Sequence, residues 1–226
     1  MKYNKFLFKE TMFVLLLHIV GVLGCFLLHK LFFKDTPIES MLYSITQTIV
    51  WIVTSYIFFV DINNNMISRL VINGGTRAKI WCCKGITVVF AALMMIIFQA
   101  AAIIADNEKL SGCYHALTHV SVITLLLMTF IGALTALLYV IIRNMSVVVI
   151  MIFAYINPWT YVMVANYCEK SSSAIIKKNP FYLLLKMANT GAFDKIGIIL
   201  CCITAIVFWL ISFIIIQRIE LKEANL

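Results

Sequence analysis

The chain of 226 residues is 63% hydrophobic and only 12% charged, and its formal net charge is +8. A water-soluble domain carries roughly 25% charged residues, and a fold of this length could not bury so much apolar surface in water. The composition therefore excludes an ordinary soluble domain and indicates a membrane protein. The positive charge fits contact with anionic lipid headgroups and does not point to nucleic acid.

Six apolar stretches are long enough to cross a bilayer, which requires about 20 consecutive apolar residues. Backbone groups in lipid must be satisfied within their own segment, so each stretch is predicted to be a helix. The six predicted spans are Thr11–Phe33, Pro37–Val60, Lys79–Ala105, Ala116–Ile142, Ser146–Ala165 and Ile196–Gln217. We therefore predict an all-α polytopic membrane protein in which residues 1–226 form a single domain.

The N-terminal segment Met1–Glu10 has the pattern of a helix that lies on the membrane surface. Tyr3, Phe6 and Leu7 fall on one helical face, opposite three lysines. A basic terminus that only sets topology is the alternative. The three lysines before an apolar run also resemble the start of a signal peptide. The apolar run continues past Cys25, however, so we interpret this run as the first span.

Basic residues indicate which side of the membrane the loops occupy. If both termini are cytoplasmic, all four arginines lie inside: Arg69, Arg77, Arg143 and Arg218. The lysine-containing segment after the fifth span is the exception. We expect both termini to be cytoplasmic.

Two Asn-Pro pairs predict breaks in the second half of the chain, because proline disfavours helical geometry in the residue before it. Asn157-Pro158 interrupts the fifth span, and a kink or a helix end is expected there. Asn179-Pro180 precedes the apolar segment Phe181–Met187, which is too short to cross the membrane. This segment is predicted to be a short outer helix that either dips into the outer leaflet or caps the bundle.

The sequence lacks a phosphate-binding loop, a metalloprotease helix and a nucleophile elbow, so we predict no catalytic residues and no enzyme activity. His115 and His119 stand one helical turn apart, near Cys113. They could hold a metal at the outer mouth of the fourth span, but two interfacial histidines are the favoured interpretation, and we predict no metal site. Cys113 and Cys168 could form a disulfide or remain thiols, and both alternatives stay open.

Neutral polar residues inside the spans are candidates for a substrate path. No Asp or Glu lies in the middle of a span, which argues against a proton-coupled transporter. The candidate path residues are Gln47, Thr54, Gln99, Thr124, Thr129 and Asn157. The alternative is that they form hydrogen bonds between helices, and the sequence does not decide between the two.

The segment Asp61–Lys84 is the substantial loop on the predicted inner side. Asn63-Asn64-Asn65 can cap a short helix that begins at Met66, and Gly74-Gly75 can terminate it. This segment resembles the loop between the second and third spans of type-2 ABC export permeases. The resemblance lies in the order of Asp61, Ile67-Ser68-Arg69-Leu70, Asn73-Gly74-Gly75-Thr76-Arg77 and Lys84.

Two positions depart from that family's pattern. Asn64-Asn65 stands where Asn-Gly is usual, and Thr76 stands where serine is common; both retain turn or capping chemistry. The six-span plan and the short outer insertion are also similar to this family. The size resembles its small members, the permeases of lantibiotic-immunity and modulin-type toxin-peptide exporters.

The resemblance implies that Met66–Asn73 is a coupling helix that docks into a separate ATPase subunit. The residues expected to couple to that subunit are Asp61, Met66, Ile67, Arg69, Leu70, Val71, Gly74, Gly75, Thr76, Arg77 and Lys84. ATP and Mg²⁺ would bind two copies of the ATPase, and this chain itself would bind no cofactor. A second permease copy or a paralogue would complete the transporter in a bacterial cytoplasmic membrane.

The sequence therefore predicts the membrane-spanning subunit of an exporter of amphipathic peptides or similar hydrophobic compounds. The alternative is a polytopic membrane protein outside the ABC class that acts in signalling or assembly.

Overall fold

The computed structural model describes residues 2–33, 36–63, 77–106, 110–171 and 173–218 of the chain. Within these ranges the elements are all helices, which confirms the predicted all-α class. In chain order they are α1 (Lys2–Phe32), α2 (Ile38–Asn63), α3 (Arg77–Asp106), α4 (Leu110–Ile142), α5 (Met145–Ile156), α6 (Pro158–Lys170), α7 (Ala174–Lys177), α8 (Pro180–Thr190) and α9 (Lys195–Arg218).

Five of the described helices are long and apolar enough to cross a membrane, namely α1, α2, α3, α4 and α9. The pair α5 and α6 makes a sixth span if it is counted as one, and it bends by 59°. The break lies at Asn157, whose side-chain Oδ1 accepts a hydrogen bond from the Trp159 backbone N at 3.0 Å. Pro158 opens α6. The break predicted from Asn157-Pro158 is thus confirmed.

Helix α1 runs without interruption from Lys2 to Phe32. The predicted N-terminal surface helix is therefore helical, but it is continuous with the first span rather than separated from it. The junction around Glu10–Met12 contains neither proline nor glycine, so no residue there ends the helix.

Helix α4 is the centre of the bundle. It packs against α2, α3, α5, α8 and α9, whereas α1 packs on the outer side of α2 and α3. Gly132 permits the close approach of α3, because a Cβ at this position would lie 2.7 Å from the Val88 side chain. We call the end of the bundle where α2 ends and α3 begins the proximal end, and the opposite end the distal end.

Helix α8 is the predicted short insertion before the last span, and it packs into the bundle. It contacts α2, α4, α6 and α9. In its first turn, the Phe181 ring lies 5.3 Å from Phe130 and 5.8 Å from Phe208, between ring centroids. In its last turn, the Ala188 carbonyl accepts a hydrogen bond from Gln47. The insertion is thus held at both ends by other helices.

Candidate functional site

A chain of buried hydrogen bonds joins α2, α3 and α4. Gln99 Nε2 donates to Thr46 Oγ1 at 2.6 Å, and Thr124 Oγ1 donates to Gln99 Oε1 at 2.8 Å. Thr46 in turn donates to the Leu42 carbonyl. We call Thr46, Gln99 and Thr124 the polar seam; each of these side chains is at most 1% exposed. Both ends of the Gln99 amide are satisfied, so the seam is closed in this conformation.

The seam includes two of the candidate path residues, Gln99 and Thr124, and one residue that sequence reasoning missed. Thr46 carried no signal of its own, although a glutamine inside a span needs a partner on a neighbouring helix. These hydrogen bonds fit the alternative interpretation, in which Gln99 and Thr124 hold neighbouring helices together.

Gln47, a third candidate path residue, faces the insertion. Its Nε2 donates to the Ala188 carbonyl at 3.0 Å. Its Oε1 is buried without a hydrogen-bond partner. Ala188 lies three residues before Gly191, which ends α8 with a positive φ of 66°. Gln47 thus fixes the last turn of α8 and retains one buried acceptor beside it.

The other three candidate path residues do not join the seam. Thr54 is buried and bonds back to the Val50 carbonyl of its own helix at 2.7 Å. Thr129 is partly exposed and bonds back to the Leu125 carbonyl at 2.8 Å. Asn157 caps α6 at the bend.

Lys84 lies inside the proximal half of the bundle. Its Nζ donates to the Ile57 carbonyl of α2 at 2.8 Å, and the residue is only 7% exposed. A buried ammonium is costly unless it has partners, so this contact strongly constrains how α2 and α3 approach each other.

Four aromatic rings from four helices surround the same region. We call Phe58, Trp81, Tyr139 and Trp209 the aromatic cluster. Trp81 lies at its centre, with ring centroids 5.7 Å from Phe58, 5.8 Å from Trp209 and 6.4 Å from Tyr139. Its Nε1 also donates to Ser212 Oγ at 3.1 Å. The cluster ties α2, α3, α4 and α9 together at the proximal end.

Most of the predicted coupling residues lie outside the described residues. These are Met66, Ile67, Arg69, Leu70, Val71, Gly74, Gly75 and Thr76. The backbone of Asp61 belongs to the last turn of α2, and that of Arg77 opens α3. Lys84 is thus the one predicted coupling residue whose side-chain contacts are described, and it lies in the bundle rather than on its surface.

An ion cluster joins the distal ends of α1 and α3. His29 Nε2 lies 3.2 Å from Asp106 Oδ1, and Lys30 Nζ lies 2.6 Å from the same oxygen. Sequence reasoning missed this cluster, although the six-span plan brings the ends of the first and third spans to one side. The pairing neutralises an acidic residue at the end of a span.

Two histidines and two cysteines of the distal end were candidates for a metal site or a disulfide. His115 and His119 lie 4.0 Å apart between ring centroids, and Phe193 stacks on His119 at 4.7 Å. Among the described residues no group of three or more metal-ligating side chains comes together. Cys113 and Cys168 are both buried and are not joined by a disulfide.

The chain was compared with protein families and with curated proteins. No family model matches it, and no curated protein matches it significantly.

Proposed function

We propose that this chain is the membrane-spanning subunit of an ATP-driven ABC exporter. Its cargo is an amphipathic peptide of the toxin or antimicrobial type, or a similar hydrophobic compound. Two copies of a separate ATPase subunit bind ATP and Mg²⁺, and a second copy of this chain or a paralogue completes the transporter. The proposal begins from the resemblance of Asp61–Lys84 to the coupling loop of type-2 export permeases.

The observation that carries the proposal is the joint at the proximal end. Residues 64–76 connect α2 to α3, and these two helices contact each other within about two turns of that connection. Lys84 Nζ bonds to the Ile57 carbonyl, and Phe58 packs on Trp81. A force applied to the connecting segment would therefore move α2 and α3 as one unit.

The aromatic cluster would extend this movement to α4 and α9. Trp81 stacks on Trp209 of α9 and on Tyr139 of α4, and it donates a hydrogen bond to Ser212. Packed side chains and hydrogen bonds carry coupling where they join elements with two discrete arrangements. A coupling segment docked at this point would therefore move four helices rather than one loop.

The polar seam provides a place where those helices can part. Hydrogen bonds between membrane helices contribute on average only about 0.6 kcal/mol each, so a seam built from neutral side chains opens at small cost. Once opened, Gln99 and Thr124 present an amide and a hydroxyl to the polar face of an amphipathic cargo. Helix association without transport is the competing role of the same bonds.

Purification of the tagged full-length chain from its native membrane tests the proposal. We expect an ATPase subunit with a G-x-x-x-x-G-K-[ST] loop to co-purify. ATP hydrolysis by the purified complex should rise when amphipathic peptides are added. Co-purification of a kinase, a protease or an assembly partner in place of an ATPase would contradict the proposal and favour signalling or assembly.

A further inference from the structure

An apolar groove opens on the exposed surface of the bundle, where α3, α4 and α9 meet. Its volume is about 650 Å³, and its walls include Gly85, Ile86, Ala133, Ala205 and Trp209. Pockets that hold one small ligand span roughly 300–1,000 Å³. The groove therefore has room for one slender apolar group.

Small residues create this space between three closely packed helices. Ala133 of α4 and Ala205 of α9 end at Cβ, so neither side chain reaches across the gap. On α3, Gly85 allows the Trp209 ring to lie directly on the backbone, because a Cβ there would be 2.8 Å from Trp209 Cζ2. The Trp209 ring forms one wall and is held by its stack on Trp81.

The residues that line the groove favour an apolar ligand group such as a hydrocarbon chain. Apart from the Trp209 indole N–H and the Cys82 thiol, Thr129 brings the polar group of the lining, and its hydroxyl already donates to the Leu125 carbonyl within α4. A polar ligand group would therefore lose most of its hydrogen bonds to water on entering the groove, at substantial cost. Ile86 and Leu210, which are 68% and 54% exposed, stand at the mouth and face the surroundings of the bundle.

Two exposed basic residues lie near the proximal end of two helices that line the groove. Lys79 lies three residues before Cys82, on the helical face of α3 that lines the groove. Arg218 ends α9, two turns beyond Leu210. Lysine and arginine near the end of a span extend their charges toward the headgroup region. An apolar groove with two cations near its proximal end fits a molecule with a hydrocarbon tail and an anionic head.

We propose that this groove is a binding site for an anionic phospholipid. One acyl chain lies between Ile86 and Trp209, and the phosphate is held by Lys79 and Arg218. The site is independent of the transport function proposed above, since it requires no ATPase and no cargo.

Native mass spectrometry of the delipidated full-length protein in detergent tests this site. The protein is titrated with phosphatidylglycerol or with phosphatidylcholine that carries the same acyl chains. We expect one phosphatidylglycerol to bind more tightly than phosphatidylcholine. Each of Lys79→Gln and Arg218→Gln should weaken phosphatidylglycerol binding about fivefold, since a cation near the membrane surface contributes about 1 kcal/mol. Each should weaken phosphatidylcholine binding less, because the choline cation offsets the charge of its phosphate.

Filling the groove provides the second arm of the experiment. Ile86→Trp should weaken binding of both lipids by about tenfold or more, because displacing two methylenes costs about 1.6 kcal/mol. Leu16→Trp on α1 is the matched control, since Leu16 is 62% exposed but lies outside the groove. We expect both variants to keep the thermal stability of the parent protein.

Three results would overturn the proposal. Equal binding of the two lipids would show that the site does not recognise an anionic headgroup. Equal effects of Ile86→Trp and Leu16→Trp would show that the lipid binds the general surface. Displacement of the lipid by an uncharged amphipathic model helix would assign the groove to a peptide.

Discussion

Threonines in this bundle make two kinds of hydrogen bond, and the difference separates structural roles. Thr54, Thr129 and Thr135 donate to carbonyls of their own helices. Thr124 instead donates across to Gln99 of α3. A hydroxyl that bonds within its own helix adds little to tertiary structure, whereas one that satisfies a buried amide on another helix fixes how the two helices meet.

Substitution of two threonines on α4 measures this difference. Thr124→Val leaves Gln99 Oε1 buried without a donor, and we expect the free energy of unfolding to fall by about 1 kcal/mol. Thr129→Val removes only an intrahelical bond at a partly exposed position, and we expect a change within about 0.5 kcal/mol. Unfolding in mixed micelles of increasing denaturing-detergent content provides the measurement. Equal losses in the two variants would contradict the assignment of the seam.

At the residue scale, the sequence predicts the members of the polar seam better than their partners. Gln99 stands out because glutamine is rare in an apolar span, whereas Thr124 and Thr46 are two of many threonines in the spans. The pairing of Gln99 and Thr124 with Thr46 depends on the depth and the rotation of three helices, which one sequence does not specify. Lys84 was predicted near the loop, but its buried contact with Ile57 depends on the same unknown rotation.

Helix α8 is held in place by a left-handed turn at its C-terminus. Gly191 has a φ of 66°, and its backbone N donates to the Met187 carbonyl. A Cβ added at Gly191 would lie 2.7 Å from the Tyr43 ring of α2. Glycine is therefore required both by the backbone conformation and by the close approach of α2.

Gly191→Ala should consequently destabilise the insertion. The left-handed conformation costs a residue with a Cβ about 1–2 kcal/mol, and displacement of the Tyr43 ring adds to this. Gly24→Ala on α1 is the control, because no side chain or other-helix atom lies within 4 Å of its added Cβ, and alanine stabilises a helix interior by about 0.5–1 kcal/mol. Thermal unfolding in detergent should show a lower midpoint for the first variant and an unchanged or higher one for the second. The same midpoint shift in both would contradict this account of α8.

The element boundaries show what local signals can and cannot predict. Asn157-Pro158 and Asn179-Pro180 act through their own backbone chemistry, so the break and the start of α8 were predictable. The insertion of α8 into the bundle follows from its contacts with α2, α4 and α9, which no local signal contains. The predicted end of the N-terminal surface helix rested on a change in composition, and composition alone does not interrupt a helix.

At the scale of the whole molecule, the bundle has two ends, and the arginines predict which end is cytoplasmic. Arg143 is exposed between α4 and α5 at the proximal end, and Lys178 is exposed between α7 and α8. Introduced in a background without the seven native cysteines, Arg143→Cys should be protected from an impermeant thiol reagent in intact cells. Lys178→Cys should be labelled. Permeabilised cells, in which both positions react, provide the control, and the opposite pattern in intact cells would reverse the orientation.

We propose that residues 64–76 transmit the conformational change driven by ATP hydrolysis to the bundle through the joint between α2 and α3. We expect Met66, Ile67, Leu70 and Val71 to form the apolar face of this segment, with Arg69 and Arg77 at its rim. Arg→Lys keeps the topological charge but loses the bidentate geometry of the guanidinium. Topology alone therefore predicts no effect of that change, whereas docking predicts a loss.

The most direct test is to measure binding of the ATPase subunit and ATP hydrolysis for variants reconstituted in nanodiscs. Arg69→Lys combined with Arg77→Lys should weaken binding about tenfold or more, since a desolvated hydrogen bond to a charged group contributes about 1.5–3 kcal/mol. Leu70→Asp should abolish binding, and Arg143→Lys, at an exposed arginine outside the segment, should behave as the parent protein. Unchanged binding and hydrolysis in both the double variant and Leu70→Asp would contradict the account.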